Sequence, residues 1–257
     1  MYLIFNTSVL TSHSFLHSKR TKLKEFDTIF SFQITNQSKT CSYHRDQTFS
    51  LKQYKSCSVH GGDGFSFVIH GDANDADALG DGAEQLGYGG LRNSIAIEFD
   101  VWTNTGPDTD DIFYDHISIH SAGFSLPNES GPRTSLGSSR PVDLADGELH
   151  RVRIKYYPHL VTNFLQGMTA NENLVPYLKD NGEGRRLGTL AIFLDENIEA
   201  NKPDLSIPLN LSVLLDLPDG MAYVGFTAST GAQWENHDIL KWEWCSASGC
   251  EIDYNSI

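Results

Sequence analysis

The chain has 257 residues, of which 39% are hydrophobic and 11% are aromatic, so it can build a sizeable core and is unlike a disordered chain. Its 33 acidic and 19 basic residues give a formal net charge of -14 at pH 7. Such a surface repels phosphate backbones and anionic membranes, and we expect no nucleic-acid partner. No stretch approaches the roughly 18 to 20 consecutive apolar residues of a membrane-spanning helix, so we expect no membrane insertion by this chain.

From Phe26 onward, short apolar or alternating segments are separated by turn residues, a pattern that predicts an all-β, many-stranded antiparallel sandwich. The regular spacing favours one domain over residues 26–245. Residues 1–25 are a poorly defined N-terminal segment, consistent with a fragment, because the first ten residues make a poor signal peptide. Residues 246–257 are a short tail. The clearest predicted strands are 26–34, 64–70, 94–102, 116–121, 150–157, 189–194, 221–228 and 239–244.

Two of these strands, 64–70 and 94–102, carry apolar residues on both faces. We therefore expect them at the centre of the sandwich, covered on each side. Residues 72–90 and 103–115 are rich in Gly, Asp, Asn and Pro, which indicates loops, and loops on a rigid sheet often carry binding residues. The leucine-rich stretch 205–217 fits either a strand pair or a short helix.

The chain has an even number of cysteines, which allows three pairings and matches no paired zinc-ligand spacing. We expect two disulfides, Cys41–Cys57 and Cys245–Cys250; the alternative is four reduced thiols in a cytosolic protein. Four glycosylation sequons agree with secretion, so we expect an extracellular or secretory-lumen protein. They begin at Asn6, Asn36, Asn128 and Asn210.

Side chains that can bind a metal ion through oxygen or nitrogen are concentrated near the end of the strand at 94–102 and in the loop after it. On a strand, residues two apart share a face, so Glu98, Asp100 and Trp102 project together, and Asn104 follows. Calcium takes oxygens from carboxylates, amides and backbone carbonyls, whereas manganese also accepts imidazole. The next loop ends with a further carboxylate and an imidazole, Asp111 and His116.

This pattern resembles the legume lectins, whose Glu-x-Asp-x-aromatic-x-Asn strand and later Asp-x4-His hold a calcium ion beside a manganese ion. Segments 62–68, 86–100, 224–231 and 237–242 extend the resemblance over residues 26–245. It implies a concanavalin A-like jelly-roll sandwich of antiparallel sheets. It also implies that Ca²⁺ binds Asp100, the Trp102 carbonyl, Asn104 and Asp111, and that Mn²⁺ or another transition metal binds Glu98, Asp100, Asp111 and His116.

The resemblance also implies a monosaccharide pocket in which Asp63, preceded by a cis peptide, accepts hydrogen bonds, Asn104 donates them and Trp102 stacks on the sugar. The metals position these groups without contacting the sugar. A glycine amide completes the family's pocket; Gly82 is nearest by position, while strict register selects Ala83 or Glu84. The loop that sets sugar preference contains Gly231, Ala232 and Gln233.

We therefore expect a non-catalytic glycan-binding module, with avidity supplied by oligomers or by a multidomain parent. One alternative is a metal-stabilised interaction or cargo-receptor domain without a working sugar pocket. The other is a glycoside hydrolase on the same architecture, with a Glu-x-Asp-x-x-Glu strand. Because Thr103 stands where the second catalytic Glu belongs, the hydrolase lacks its acid. We expect the acidic run 72–82 to be solvated surface, and His120, His150 and His237 to be structural or surface residues and not ligands.

Overall fold

The structure is a computed structural model that describes residues 3–5, 13–16, 20–45, 53–104, 115–166, 171–180, 187–231, 233–245 and 250. Within these residues the strands are β1 (Leu3–Phe5), β2 (His13–Leu16), β3 (Thr21–Lys22), β4 (Phe26–Thr35), β5 (Ser38–Arg45), β6 (Gln53–His60), β7 (Gly64–His70), β8 (Ser94–Asp100), β9 (His116–His120), β10 (Ser135–Ser138), β11 (Leu149–Tyr157), β12 (Gly188–Leu194), β13 (Leu205–Leu209), β14 (Met221–Ser229) and β15 (Asn236–Cys245). The described residues also form two short helices, α1 (Glu196–Glu199) and α2 (Leu211–Leu214). There are 3₁₀ turns at Asp75–Asp77, Ala83–Gln85 and Glu172–Tyr177.

Two antiparallel sheets form a sandwich. One sheet has the strand order β1-β15-β4-β11-β12-β13, and the other has the order β10-β9-β8-β7-β14-β2, with β3 also paired to β14. The fold is therefore the jelly-roll sandwich expected from the sequence. Every predicted strand is present. The largest differences at the ends concern β15, which begins at Asn236, three residues before the predicted start, and β8, which stops at Asp100, two residues before the predicted end.

The core lies between the two sheets. Strand β4 alternates between buried and partly exposed residues, so its even-numbered side chains face the opposite sheet. Phe30 packs edge-on against Phe226 with ring centroids 4.9 Å apart, and Phe65 stacks on Phe99 at 4.6 Å. Aromatic side chains from both sheets thus fill the core, and their packing holds β7 and β8 in place.

Strands β7 and β8 are also covered on their other face, as their two-sided apolar pattern predicts. The covering segment is the loop at 72–90, whose Leu86 and Tyr88 are buried against Val68 and Ala96. The part of the loop around Leu86 and Tyr88 is therefore packed against the sheet next to the turn at Ala83–Gln85, whereas residues 73–77 are exposed. The stretch 205–217, for which the sequence allowed a strand pair or a short helix, contains one strand, β13, followed by the short helix α2.

A polar hairpin, β5 and β6, forms a separate two-stranded sheet that the sequence analysis did not identify. Its register places Cys41 opposite Cys57, and these residues form one disulfide, while Cys245–Cys250 forms the other. Both expected pairings are therefore present. In the N-terminal segment, β1 pairs with β15 and β2 pairs with β14, so these strands extend the two sheets.

Candidate functional site

A cavity of about 910 Å³ opens above the ends of β8 and β9, and four of the predicted cation ligands line it: Glu98, Asp100, Asn104 and His116. The strand register explains this, because Asp100 lies opposite His116, and Glu98 lies opposite Ser118. Side chains at alternate positions of two paired strands share a face. Asp111 lies outside the described residues.

Trp102 lines a different cavity. The side-chain Oδ1 of Asp100 accepts a hydrogen bond from the Trp102 backbone N–H at 2.8 Å, and the chain turns out of the strand there. Strict alternation therefore ends at Asp100. Trp102 lines a cavity of about 420 Å³ together with Gln37, Val59 and Gly61, at the base of the β5–β6 hairpin.

Glu98 is buried in a hydrogen-bond network, with 1% of its surface exposed. Tyr88 donates its hydroxyl hydrogen to Oε1 at 2.5 Å, and Ser118 donates to Oε2 at 2.7 Å. His120 Nε2 lies 3.0 Å from the same Oε2. Burial by itself would raise the pKa of Glu98, but His120, Tyr88 and Ser118 outweigh it and lower this pKa to about 2.

The two implied cations fit these residues unequally. For calcium, Asp100 and Asn104 offer a carboxylate and an amide in one cavity, which is the oxygen chemistry that calcium prefers. For the second cation, both Glu98 oxygens already accept hydrogen bonds. Among the described residues no group of three His, Cys, Asp or Glu side chains could hold a metal ion, so a complete site needs Asp111 or backbone oxygens.

Asp63 begins the second half of the candidate site, directly before β7. It is 8% exposed, and within the described part of the chain its Oδ2 has no hydrogen-bond partner. A Cβ at Gly231 would lie 3.4 Å from that oxygen, so the glycine leaves room beside the carboxylate. The pKa of Asp63 is raised to about 6: burial raises it most, a backbone hydrogen bond and His237 lower it, and Glu235 and Glu84 raise it.

The backbone before Asp63 is held against the segment that precedes β15. A Cβ at Gly61 would lie 2.9 Å from Glu235 Cδ, and one at Gly62 would lie 2.8 Å from Trp234 Cα. Only glycine therefore permits this approach. The resemblance implies a cis peptide before Asp63, but no cis bond occurs among the described residues; trans is the intrinsically favoured form, by roughly 2.5–4 kcal/mol before a non-proline residue.

Glu235 and His237 act electrostatically on Asp63, and no sequence pattern singled out Glu235. Both are about 1% exposed or less, and His237 Nε2 lies 2.9 Å from Glu235 Oε1. Their spacing of two residues is the signal that could have placed them on one face. His237 was expected to be structural, and its contact with Glu235 agrees with that expectation.

The turn that contains the candidate backbone donors lies near the start of β7. Gly82 precedes the turn at Ala83–Gln85, and the Ser229 hydroxyl at the end of β14 donates to the Ala83 carbonyl. Ser229 pairs with Gly64, the residue after Asp63. The turn at 82–85 therefore lies over the same end of the sheet, and it leaves Gly82, Ala83 and Glu84 all as candidates.

Gln233 faces the hairpin. Its Oε1 accepts a hydrogen bond from Ser38 Oγ at 2.6 Å, and its Nε2 lies 3.4 Å from Thr40 Oγ1. The side chain thus links the specificity loop to β5. Ala232, the preceding residue of that loop, lies outside the described residues.

The asparagines of two sequons have structural roles. The Asn128 side chain donates to Ser94 and to the His120 carbonyl, and Asn210 caps α2; both residues are buried. Asn36 is exposed and remains a suitable glycosylation acceptor, while Asn6 lies outside the described residues. Among the described residues, no helix is long and apolar enough to cross a membrane.

Known proteins share both sequence and fold with this chain. A family model described as "Legume lectin domain" matches residues 10–254. The chain is 26% identical over 208 residues to the L-type lectin-domain containing receptor kinase VII.1 of Arabidopsis thaliana, covering 78% of this chain and 25% of the kinase. It is 24% identical over 237 residues to a lectin-like protein of the same plant, covering 84% of this chain and 72% of that protein.

Solved structures show the same fold at low identity. The lectin from Bauhinia forficata in complex with GalNAc superposes with a TM-score of 0.54 at 17% identity, over 91% of this chain and 78% of that one. The Ca²⁺-bound exoplasmic/lumenal domain of VIP36 gives 0.59 at 17% identity, over 99% of this chain and 82% of that one. The chain spans about a quarter of the receptor kinase's length (25%).

Proposed function

Because the chain belongs to the legume lectin domain family, we propose that it is a non-catalytic module that binds glycans and depends on calcium. One observation carries this proposal. The Asp63 carboxylate is almost buried, Oδ2 has no hydrogen-bond partner within the described part of the chain, and a Cβ built on Gly231 would lie 3.4 Å from that oxygen. A buried acceptor without a partner is costly, and a sugar hydroxyl would satisfy it.

The chemistry around Asp63 suits a saccharide. Sugar hydroxyls both donate and accept hydrogen bonds, so an acceptor such as Asp63 needs a donor nearby. We assign that role to the Asn104 amide and to a backbone N–H of the turn at Gly82–Glu84. Trp102 would offer an aromatic face from the neighbouring cavity, and the loop at 231–233 would set the sugar preference.

Calcium would be held by Asp100, the Trp102 carbonyl, Asn104 and Asp111. Bound there, it would fix the Asn104 amide before the sugar arrives, which lowers the entropy lost on binding. The implied second set, Glu98, Asp100, Asp111 and His116, shares two of these residues. Glu98 is already held by Tyr88, Ser118 and His120, so glycan binding would rest on the calcium set.

A hydrolase has weaker support. A retaining glycosidase needs two carboxyl groups about 5–5.5 Å apart, and Thr103 occupies the position of the second. In addition, the Glu98 carboxylate already contacts Tyr88, Ser118 and His120, and these contacts do not favour a role as nucleophile. Incubation with β-glucan should therefore release no new reducing ends.

We also place the protein in the secretory pathway or outside the cell. Two disulfides support this, because such bonds persist in oxidising compartments. Monosaccharide binding should be weak, since a small ligand buries little area. Oligomers or a multidomain parent would supply avidity, and the receptor kinase relative is an example of a longer chain.

A glycan array with a calcium titration tests the proposal. The parent protein should bind a defined set of glycans with Ca²⁺ and none after chelation, and added Ca²⁺ should restore binding. Asp63→Asn should abolish binding, whereas Asp77→Asn removes the same charge from an exposed position and should not. If no glycan binds in any condition, the chain is instead an interaction or cargo-receptor domain without a sugar pocket.

A further inference from the structure

The cavity that contains Trp102 has walls from separate parts of the chain. Its volume is about 420 Å³. The described lining residues come from the base and the second strand of the β5–β6 hairpin, the segment before β7, the residues after β8, the residue before β9 and the loop before β11: Gln37, Val59, Gly61, Val101, Trp102, Thr103, Asp115, Asp143 and Ala145. A concave space enclosed by several elements is the usual form of a ligand site.

Hydrogen bonds tie these walls to one another. Gln37 donates from Nε2 to the Ala145 carbonyl at 3.1 Å, which joins the base of the hairpin to the loop before β11. In that loop the backbone N–H groups of Leu144 and Ala145 donate to Asp115 Oδ2 at 3.0 and 3.2 Å. The cavity is therefore preformed, and a preformed site loses little conformational entropy when a ligand binds.

The hairpin wall is anchored beside the specificity loop. The Ser38 N–H donates to the Trp234 carbonyl at 2.8 Å, and the Trp234 N–H donates back to Ser38 Oγ at 3.1 Å. These contacts hold the start of β5 against the end of the loop at 231–233. The Cys41–Cys57 disulfide then joins β5 to β6, so both strands of the hairpin keep a fixed position relative to the proposed sugar site.

The cavity adjoins the carboxylate proposed to bind sugar. Gly61 lines the cavity and Asp63 follows two residues later, so the Cα atoms of these residues are at most roughly 7 Å apart. Val101, another lining residue, donates its backbone N–H to the Asp63 carbonyl at 3.3 Å. When one sugar ring lies at Asp63, a second ring linked to it can therefore reach the cavity.

The lining suits a neutral sugar. Trp102 and Val59 offer apolar surface to the C–H face of a ring, and the Gln37 side chain offers polar atoms to its hydroxyls. Among the described residues that line the cavity, the charged ones are Asp115 and Asp143, and none is basic. An anionic sugar would therefore be repelled.

We propose that this cavity is a second sugar subsite, which holds the neutral sugar residue linked to the one at Asp63 and has the β5–β6 hairpin as one wall. The protein then recognises an oligosaccharide, and the hairpin determines which linkage fits. The inference rests on the proposed function, because it needs a first sugar at Asp63. It assigns the ring of Trp102 to the second sugar.

Paired titrations in Ca²⁺ test the subsite. The probes are the methyl glycosides of mannose, galactose, glucose and N-acetylgalactosamine and, for each one that binds, its disaccharides with a second neutral hexose at every linkage position. We expect at least one disaccharide to bind roughly tenfold more tightly than its monosaccharide. Its counterpart with a hexuronic acid as the second residue should lose that gain. Equal affinity for the monosaccharide and every disaccharide would overturn the proposal, and an equally tight hexuronic acid would overturn the preference for a neutral residue.

Two variants of the hairpin locate the gain. Val59 lines the cavity and lies opposite Lys39, whereas Tyr43 lies opposite Lys55 and is not among the described lining residues. Both are exposed, at 52% and 72%, so neither substitution disturbs the core. Val59→Glu adds bulk and negative charge to the cavity and should remove the disaccharide gain, while monosaccharide affinity stays within about twofold. Tyr43→Glu should change neither affinity. A gain that survives Val59→Glu, or that Tyr43→Glu also removes, would contradict the assignment.

Failure of the proposed function has a different signature. If neither monosaccharides nor disaccharides bind in Ca²⁺, glycan binding and the second subsite are refuted together. If monosaccharides bind and no disaccharide gains affinity, the subsite alone is refuted and the proposed function stands.

Discussion

The Asp63 carboxylate lies beside Gly231, where a Cβ on that glycine would lie 3.4 Å from Oδ2. A side chain at position 231 would therefore cover the acceptor proposed to bind sugar. Gly231→Val should weaken glycan binding at least tenfold and leave calcium affinity unchanged, as measured by paired titrations. Equal glycan affinity in the variant and the parent would show that the sugar does not reach Asp63 from this side.

Glycan binding should fall as the pH drops through about 6. Burial raises the pKa of Asp63 to about 6, and a protonated carboxyl loses acceptor capacity, so binding at pH 5 should be roughly tenfold weaker than at pH 7. Calcium binding measured at both pH values is the control. A glycan affinity that is flat between pH 5 and pH 7 would contradict the role of Asp63.

Asp63→Asn should stabilise the protein while abolishing glycan binding. The folded-state pKa of Asp63 lies above its usual value of 3.8, so ionisation of this group favours the unfolded state above that value. The neutral variant escapes this cost, and its free energy of unfolding at pH 7 should be higher by roughly 1–3 kcal/mol. The gain should disappear below about pH 4, where both states of the parent are protonated. Urea unfolding at the two pH values measures it.

Gly62→Ala should disrupt the site through the backbone. Its Cβ would lie 2.8 Å from Trp234 Cα, and a backbone atom cannot move aside as a side-chain end can. We expect a loss of roughly 1–3 kcal/mol in stability and no detectable glycan binding. Gly147→Ala is the control, because a Cβ there meets nothing within 4 Å although φ is positive. It should cost about 1 kcal/mol and keep glycan binding.

Asn104→Ala and Trp102→Ala should separate calcium binding from sugar binding. The first removes a side-chain ligand, so calcium and glycan affinity should fall together. The second keeps its backbone carbonyl, so calcium affinity should stay within twofold while glycan affinity drops roughly tenfold, the worth of one aromatic contact. Calorimetric titration with Ca²⁺, then with glycan, distinguishes the two. Parallel losses in both variants would remove the proposed division of roles.

Replacing Cys41 and Cys57 by serine should open the β5–β6 hairpin locally. The disulfide closes a separation of 16 residues, and such a loop is worth roughly 3 kcal/mol in the chain-entropy model. The described hairpin side chains are mostly exposed, so little packing replaces the bond. Hydrogen exchange of hairpin amides should accelerate about a hundredfold while β4 and β11 stay protected. Replacing Cys245 and Cys250 should leave the hairpin amides unchanged.

Local patterns in the sequence predicted most of the strands and part of the candidate site. Alternation and turn residues predicted each long strand of the sandwich, because a strand with one buried face repeats every two residues. The same rule placed Glu98 and Asp100 on one face, which the shared cavity confirms. It could not place Trp102, because the Asp100 side chain caps the Trp102 N–H and ends the alternation.

The sequence by itself determined the class of fold and predicted the two disulfide pairings that the structure has, since residue type and spacing carry that information; the residues of the cation site stay a prediction. The tertiary structure decided the rest. Glu235 lies 174 positions after Gly61 in the chain (235 − 61) yet packs against it, and the side chain of His120 reaches Glu98 across a strand pair. Such contacts depend on how sheets pair and pack, and local periodicity carries no information about that pairing.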